Sequence, residues 1–103
     1  MPSLMKDASI DISIVIVTWN SWHYLEPCLT SLYACTNPQL HLEIIVVDNG
    51  SQDNLAGQLP ARFRDVLLIA NDDNLGFARA SNQGIRRAVG KYILLLNPDT
   101  VFQ

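Results

Sequence analysis

Several acidic residues of this 103-residue chain directly follow short apolar segments, where a folded sheet would gather them. They are Asp48, Asp72, Asp73 and Asp99. Asn97 and Asp99 flank Pro98 in an extended stretch, so their side chains point to the same side. A carboxylate beside an amide carbonyl offers oxygen ligands for Mg²⁺ or Mn²⁺, with substrate phosphates completing the coordination. The alternative is that Asn-Pro-Asp-Thr forms an ordinary turn.

Two further segments also end in polar side chains. Asp48 follows four apolar residues, and its carboxylate can accept hydrogen bonds from a nucleotide base or from ribose hydroxyls. Thr18 and Asn20 follow the first apolar segment, and their hydroxyl and amide can contact the same groups. The alternatives are a chain-reversing turn at Asp48 and a helix cap at Asn20. Trp19 either stacks on a ring or packs against the protein.

The remaining candidate groups are isolated. Gly76 opens a predicted helix whose backbone N–H groups could face an anion. No G-x-G-x-x-G or G-x-x-x-x-G-K-[ST] motif occurs, which argues against dinucleotide and P-loop binding. His23 and His41 lack a partner at metal-ligand spacing and are predicted as surface or packing residues. Cationic side chains of the last helix form a solvated face or reach a phosphate: Arg79, Arg86 and Arg87.

Alternating apolar patterns predict four strands and three helices. The strands cover residues 12–18, 42–47, 66–70 and 92–96, and the helices cover 22–34, 53–59 and 77–89. This alternation predicts a parallel sheet between helices, joined by right-handed crossovers. Ligands of such sheets bind at the carboxyl ends of the strands. The acidic side chains described above, and the polar side chains of Thr18, Asn20 and Asn97, fall at those ends.

The helices carry further predictions. Pro27 favours a regular first helix that begins near Glu26. Gly90 stands where the C-terminal glycine of a helix belongs. Apolar side chains available for packing on the last helix are Phe77, Ala78, Ile85, Ala88 and Val89. Cys28 and Cys35 lie two turns apart, too far for a disulfide within one helix, and are predicted to be buried.

Composition favours one globular domain. Hydrophobic residues make up 49% of the chain and charged residues 17%, which suits one buried core and argues against disorder. A net charge of −3 excludes a broad basic face, so nucleic acid is not an expected partner. No apolar run approaches the ~20 residues of a membrane span, and residues 1–11 lack a signal-peptide pattern. We therefore expect an intracellular domain at residues 12–103 that follows a tail at residues 1–11.

Four segments in register resemble one known family. They are Val-Ile-Val-Thr-Trp-Asn at 15–20, Ile-Val-Val-Asp-Asn-Gly-Ser at 45–51, Asn-Leu-Gly-Phe-Ala-Arg-Ala-Ser-Asn-Gln-Gly at 74–84 and Leu-Leu-Leu-Asn-Pro-Asp-Thr at 94–100. Over nearly the whole chain, the sequence closely resembles the N-terminal half of family 2 glycosyltransferases, and most of all their rhamnosyltransferase-type branch. The resemblance implies the Rossmann-like donor half of a GT-A fold. That is an α/β domain of three layers, α/β/α, with a mainly parallel sheet in the order 3-2-1-4.

The resemblance also implies a site. Its nucleotide-binding residues would be Thr18, Trp19, Asn20, Asp48, Asn49, Ser51, Gly76 and Asn82. Asn97 and Asp99 stand where the family has its Asp-x-Asp motif, and Asp99 matches the acid that binds Mg²⁺ or Mn²⁺ together with the donor diphosphate. Asn97 in place of the first acid removes one negative charge, so we expect weaker intrinsic metal affinity. A metal there would stabilise the charge that develops on the departing nucleoside diphosphate.

The implied reaction transfers a hexosyl or rhamnosyl group, with inversion, from a nucleotide-diphospho-sugar donor to a saccharide or lipid-linked acceptor in polysaccharide biosynthesis. The family's carboxylate base lies in the second half of its fold, beyond the residue that matches Gln103. The chain is therefore expected to be a donor-binding fragment that does not transfer sugar alone. We expect it in the cytoplasm, either free or peripheral at the cytoplasmic membrane face. We also expect a homo-oligomer that pairs through the exposed edge formed by the fourth strand.

Two other classes of protein remain open. One is a non-catalytic nucleotide-binding or assembly module. The other is a receiver-like phosphoacceptor domain, which also gathers acids at strand ends. It is weakened because Asp48 lies in an Asp-Asn-Gly-Ser turn and the later lysine and threonine strands of such domains are absent.

Overall fold

Strands and helices alternate along the chain. The structure, a computed structural model, describes residues 6–35 and 37–102. Its elements are β1 (Ile12–Thr18), α1 (Trp22–Cys35), β2 (Leu42–Asp48), α2 (Leu55–Arg62), β3 (Leu67–Ala70), α3 (Phe77–Arg87) and β4 (Tyr92–Leu96). Residues 1–5 of the predicted tail and Gln103 lie outside the described residues. The described part of that tail contacts the domain, since the Asp7 N–H donates to the carbonyl of Val89 over 2.9 Å.

The sheet has the predicted topology. Its strands lie in the order β3-β2-β1-β4, and every neighbouring pair is parallel. The nearly continuous β-branched runs of β1 and β2 suit strands that are covered on both faces. Because all four strands point the same way, their carboxyl ends share one border of the sheet. We call this border, with the loops at residues 18–21, 48–54, 71–76 and 97–100, the C-terminal edge.

Helices cover the two faces of the sheet and complete three layers. Side chains of α1 and α2, such as Leu25, Leu29 and Leu59, pack in one apolar cluster with Ile14 and Val46. On the other face, a second cluster joins α3 to β1 and β2 and contains Val15, Ile45, Val47, Ala80 and Ala88. The predicted α/β fold with an α/β/α sandwich is therefore confirmed.

Both prolines within helices are tolerated. Helix α1 begins at Trp22 rather than near Glu26, and it continues through Pro27. Helix α2 begins at Leu55 and continues through Pro60 to Arg62, instead of covering 53–59. Each proline is the sixth residue of its helix and is exposed. The carbonyl that loses its intrahelical partner therefore faces solvent, where water can replace the missing N–H.

The end of α3 differs from the prediction. The helix stops at Arg87, and the Ala88 N–H closes its last turn on the carbonyls of Gly84 and Ile85. Gly90 is therefore not a helix cap. A Cβ on Gly90 would lie 2.7 Å from the backbone nitrogen of Ser13, so glycine is required for close approach to β1.

Three residues predicted to be buried are exposed instead. Phe77 is 63% exposed and Ala78 is also exposed, because the first turn of α3 lies at the C-terminal edge, where the sheet has ended. Cys35 is exposed at the last position of α1, whereas Cys28 is buried as predicted.

Strand β4 is an open edge of the sheet. Tyr92, Ile93, Leu94 and Leu95 are between 37% and 63% exposed. No described helix is long and apolar enough to cross a membrane.

Candidate functional site

Thr18 and Asp48 end neighbouring strands and are paired in the parallel ladder. Directly paired residues project from the same face of a sheet, so the hydroxyl and the carboxylate lie side by side. Thr18 is 2% exposed and Asp48 is 3% exposed. Asp48 accepts a hydrogen bond from the Ser51 N–H over 3.1 Å, but Oγ1 of Thr18 has no hydrogen-bond partner among the described residues. A buried hydroxyl without a partner is uncommon and costly, which marks it as a group available to a ligand.

Three hydrogen bonds to side chains join the segment after β1 to the loop after β2. The Asn20 N–H donates to Oγ of Ser51 over 2.8 Å, and the Gln52 N–H donates to Oδ1 of Asn20 over 2.7 Å. The Trp22 N–H donates to a carboxylate oxygen of Asp53 over 3.0 Å. The Asn20 side chain therefore joins the two loops instead of capping α1, and Asp53 receives a first-turn N–H of that helix. We call this group of hydrogen bonds the loop clasp.

The backbone of Asn20 adopts the left-handed conformation, with φ of 50°. Asparagine tolerates this region better than most residues. The adjacent Trp19 is 52% exposed at the same loop. Its indole is therefore only partly covered by the protein, and its exposed part is open to a ligand ring.

Asn49 is buried beneath the loop before α3. Its side-chain amide donates to Oδ1 of Asn74 over 3.0 Å and to the carbonyl of Gly76 over 3.2 Å. Gly76 itself is exposed and has φ of 86°, a conformation that favours glycine. The structure thus brings Asn49 and Gly76 into contact at the C-terminal edge, and the amide of Asn49 is engaged within the protein.

Asn82 lies apart from these groups. Its side chain is exposed on the outer face of α3, where it lines a depression with Leu75, Arg79, Gln83 and Arg86. The preceding residue, Ser81, points toward the sheet and is buried, with no hydrogen-bond partner for its hydroxyl in the described part of the chain. The structure therefore does not bring the predicted Asn82 together with Thr18 and Asp48.

The two predicted metal ligands lie in a second depression of the C-terminal edge. Asn97, Pro98 and Asp99 line it from the end of β4, and Ser21 and Tyr24 line it from the start of α1. Its volume is about 360 Å³. The two candidate metal ligands thus line the same depression as Ser21, which directly follows Asn20 of the loop clasp.

The donor set of this depression suits a metal that is shared with a ligand. Within residues 6–35 and 37–102, no three His, Cys, Asp or Glu side chains converge on one point. Asp99 and Asn97 together supply one carboxylate and one amide oxygen, which fits Mg²⁺ or Mn²⁺ only when phosphate oxygens supply most other ligands. Asp99 also acts on the buried Cys28 thiol. Two effects raise the pKa of this thiol: its burial, which is the larger, and the negative charge of Asp99.

Two residues of the site were not predicted from the sequence. Asp53 joins the loop clasp and keeps its second carboxylate oxygen buried without a hydrogen-bond partner in the described chain. Tyr24 is half exposed beside Asp99. Asp53 lies five residues after the end of β2, and Tyr24 lies six residues after the end of β1. Their positions soon after a strand end were the signal in the sequence that could have identified them.

The chain belongs to glycosyltransferase family 2. The family model described as Glycosyl transferase family 2 matches residues 13–103, which is most of the sequence. The predicted family is thereby confirmed, and the fold agrees with it.

Curated relatives are considerably longer than this chain. Glycosyltransferase AglE of Haloferax volcanii is 30% identical over 91 residues, which cover 85% of this chain and 30% of the relative. Poly(ribitol-phosphate) beta-glucosyltransferase of Bacillus spizizenii is 37% identical over 92 residues, which cover 85% of this chain and 14% of the relative. The chain therefore spans less than a third of either protein.

Solved structures share the same fold. S. aureus TarS 1–349 in complex with UDP-GlcNAc superposes with a TM-score of 0.78 at 26% identity, over 87% of this chain and 27% of that chain. Mannosyltransferase PcManGT from Pyrobaculum calidifontis, in complex with GDP-Man and Mn²⁺, gives a TM-score of 0.78 at 22% identity. That second match covers 98% of this chain and 32% of the other, and it supports the fold alone. The GT-A assignment is thus confirmed.

Proposed function

We propose that the C-terminal edge binds the nucleotide part of a nucleotide-diphospho-sugar donor. The observation that carries this proposal is the pairing of Thr18 with Asp48, in which a buried hydroxyl without a partner lies beside a buried carboxylate. A base or ribose that donates to Asp48 and bonds Thr18 would satisfy both groups at once. The exposed indole of Trp19 lies on the adjoining loop and would stack on the base. The UDP-GlcNAc complex of TarS supports this choice of ligand by likeness.

The diphosphate would lie along the depression that contains Asp99. Asp99 and Asn97 would hold Mg²⁺ or Mn²⁺, which supplies electrostatic stabilisation of the departing nucleoside diphosphate. Tyr24 lines the same depression, and its hydroxyl can donate to a phosphate oxygen, whereas the Ser21 hydroxyl already donates to the carbonyl of Trp19 over 2.8 Å. A protein of this fold, PcManGT, has been solved with Mn²⁺ and a nucleotide sugar together.

The finer features of the reaction are part of the same proposal. We propose hexosyl or rhamnosyl transfer with inversion, of the rhamnosyltransferase-like branch, to a saccharide or lipid-linked acceptor in polysaccharide biosynthesis. Residues 12–103 would form the donor-binding domain, and a carboxylate base outside this chain would deprotonate the acceptor hydroxyl. The 103-residue chain would therefore bind donor without transferring sugar, in keeping with relatives of which it spans less than a third.

Location and assembly complete the proposal. We propose action in the cytoplasm or peripherally at its membrane face, which cell fractionation would test. We also propose that copies of the chain associate through β4, because its apolar side chains and its outer backbone groups are open to a further strand.

Titration with nucleotides tests the donor site. UDP and TDP should bind the purified chain, each more tightly with Mn²⁺ than without it, as measured by calorimetry. Asp48→Asn should weaken binding about tenfold, the size of one lost charge-assisted hydrogen bond. Asp99→Asn should remove the Mn²⁺ dependence. Asp65→Asn, an exposed acid outside the C-terminal edge, is the matched control. No nucleotide binding, or equal affinities of the Asp48 and Asp65 variants, would overturn the proposal.

A second candidate function is a non-catalytic nucleotide-binding or assembly module. The open β4 edge favours it, because an apolar edge strand that is exposed invites pairing with another chain. A transfer assay separates the two candidates once an acceptor-binding part is supplied with this chain: sugar transfer supports the enzyme, and nucleotide binding without transfer supports the module.

A further inference from the structure

Every polar atom of the Asn49 side chain is engaged by the loop at residues 71–76. Its amide nitrogen donates to Oδ1 of Asn74 and to the carbonyl of Gly76, over 3.0 and 3.2 Å. Its Oδ1 accepts from the Leu75 N–H over 2.9 Å and from the Asn71 amide over 3.4 Å. An asparagine side chain has two donor hydrogens and an oxygen with two lone pairs, so no capacity remains for a ligand. Asn49 is also only 3% exposed.

The same loop is fixed at both of its ends. Asn71 and Gln83 exchange two side-chain hydrogen bonds of 2.8 and 2.9 Å, which tie the start of the loop to α3. At the other end, Oδ1 of Asn74 accepts from the Gly76 N–H over 2.8 Å. The loop also approaches the turn after β2 closely, because a Cβ on Gly50 would lie 2.8 Å from the carbonyl carbon of Asp73. Asn49 therefore stands at the centre of a polar network that sets where α3 begins.

We infer that Asn49 is a positioning residue, which fixes the loop at residues 71–76 and the start of α3, and does not itself contact the nucleotide. The role of Asn49 in fixing the loop does not depend on the proposed nucleotide site. Only the expected effect of Asn49 on nucleotide binding rests on that proposed function. A loop that shifts would move Gly76 and the exposed first turn of α3, which lie at the same C-terminal edge as the Thr18–Asp48 pair. Loss of Asn49 would then weaken nucleotide binding indirectly, through the geometry of the proposed nucleotide site.

Two substitutions remove different parts of the network. Asn49→Ala deletes all four hydrogen bonds of the side chain. Asn49→Asp keeps an acceptor for the Leu75 N–H but places a carboxylate oxygen against two other oxygens, Oδ1 of Asn74 and the carbonyl of Gly76. Asn37→Asp is the matched control, because that exposed side chain acts as an acceptor only, toward the Gln39 N–H, and a carboxylate can do the same.

The decisive measurement is amide hydrogen exchange by NMR in the nucleotide-free chain. In Asn49→Ala, exchange of the Leu75 and Gly76 amides should accelerate about tenfold or more, while the Ile45 amide in the core stays within about twofold of wild type. UDP affinity should fall about tenfold in both Asn49 variants and should not change in the control. In wild type, the two side-chain amide protons of Asn49 should be protected before UDP is added and should keep that protection afterwards.

Three outcomes overturn the inference. Unchanged exchange with weakened UDP binding would make Asn49 a direct contact. Faster exchange throughout the core would reduce it to a general stability residue, and faster loop exchange with unchanged UDP affinity would remove its link to the site. If wild type binds no nucleotide, the proposed function fails, and exchange still decides whether Asn49 holds the loop. Should Asn49→Ala fail to fold, Asn74→Ala removes the bond from the Asn49 amide together with the acceptor of the Gly76 N–H, so exchange of the Leu75 amide is then the readout.

Discussion

Thr18 and Asp48 are direct partners across β1 and β2, and both side chains are buried where the two strands end. The carboxylate has a hydrogen bond from the Ser51 N–H, whereas the hydroxyl has no partner in the described chain. One group of the pair therefore has a hydrogen-bond partner within the described protein, and the other has none. A group kept buried without a partner reduces stability, and the proposed nucleotide would supply the missing partner of Thr18.

Replacement of Thr18 by valine should affect stability and binding in opposite directions. Valine has almost the same shape and removes the unpartnered hydroxyl, so the free energy of unfolding should rise by about 1 kcal/mol. The affinity for UDP should fall about tenfold, because the ligand loses a hydrogen-bond partner. Urea unfolding and calorimetry measure the two effects. Thr30→Val makes the same change at an exposed position of α1 and should alter neither quantity appreciably. A loss of stability in Thr18→Val would show that the hydroxyl has a partner within the protein.

Gly84 should tolerate no side chain, although it lies in the middle of a helix. A Cβ there would lie 2.3 Å from Cγ1 of Val15, so Gly84→Ala should lower the free energy of unfolding by about 2 kcal/mol. Gly57→Ala is the matched control, since its Cβ would meet only the end of the flexible Asn54 side chain. That control should raise stability by about 0.5 kcal/mol through helix propensity. Thermal and urea unfolding measure both variants.

A double variant checks the cause of the Gly84 effect. Val15→Ala removes the methyl groups that the new Cβ would meet, so Gly84→Ala should cost less in that background than in wild type. Equal costs in the two backgrounds would show that the close approach of α3 to β1 is not the reason for the glycine.

Much of the fold was predictable because hydrophobic patterning determines it. Short β-branched runs predicted the strands, and β1 and β4 have the predicted limits. The helix ends were less predictable because they depend on tertiary contacts. Gly90 looked like a cap in the sequence, but its neighbour in space is Ser13, which is 77 residues away along the chain. Pro27 and Pro60 looked like helix breakers, and exposure to solvent made them tolerable.

The site was predictable to the level of strand ends but not of individual roles. Thr18, Asp48, Asn97 and Asp99 reach the C-terminal edge because they follow parallel strands. Asn49 looks like a ligand contact in the sequence, since it adjoins Asp48. Its hydrogen bonds to the loop at residues 71–76 form only after the chain has folded, and no local pattern encodes them.

Self-association through β4 should be sensitive to charge. Leu95 is 46% exposed on this edge strand, and Leu95→Lys should dissociate the proposed oligomer because a lysine on an edge strand opposes pairing. Light scattering across micromolar to millimolar concentrations measures the molar mass. Ala61→Lys adds the same charge on α2, next to the opposite edge strand β3, and should leave the mass unchanged. A wild-type chain that is monomeric at every concentration would contradict the proposed association.

The Cys28 thiol should make stability depend on alkaline pH. Burial, and secondly the charge of Asp99, raise the pKa of Cys28 above its ordinary value of 9.0. The folded state therefore holds the thiol proton more tightly than the unfolded state, so this contribution is fully present below pH 9.0 and is lost as the pH rises toward the raised pKa. The stability advantage of wild type over Cys28→Ala should shrink between pH 7 and about pH 10.

Urea unfolding under reducing conditions measures this difference in stability, and the pKa of Tyr33, which burial also raises, affects both proteins alike. A constant difference between wild type and Cys28→Ala over this range would show that the folded and unfolded states bind the Cys28 proton equally.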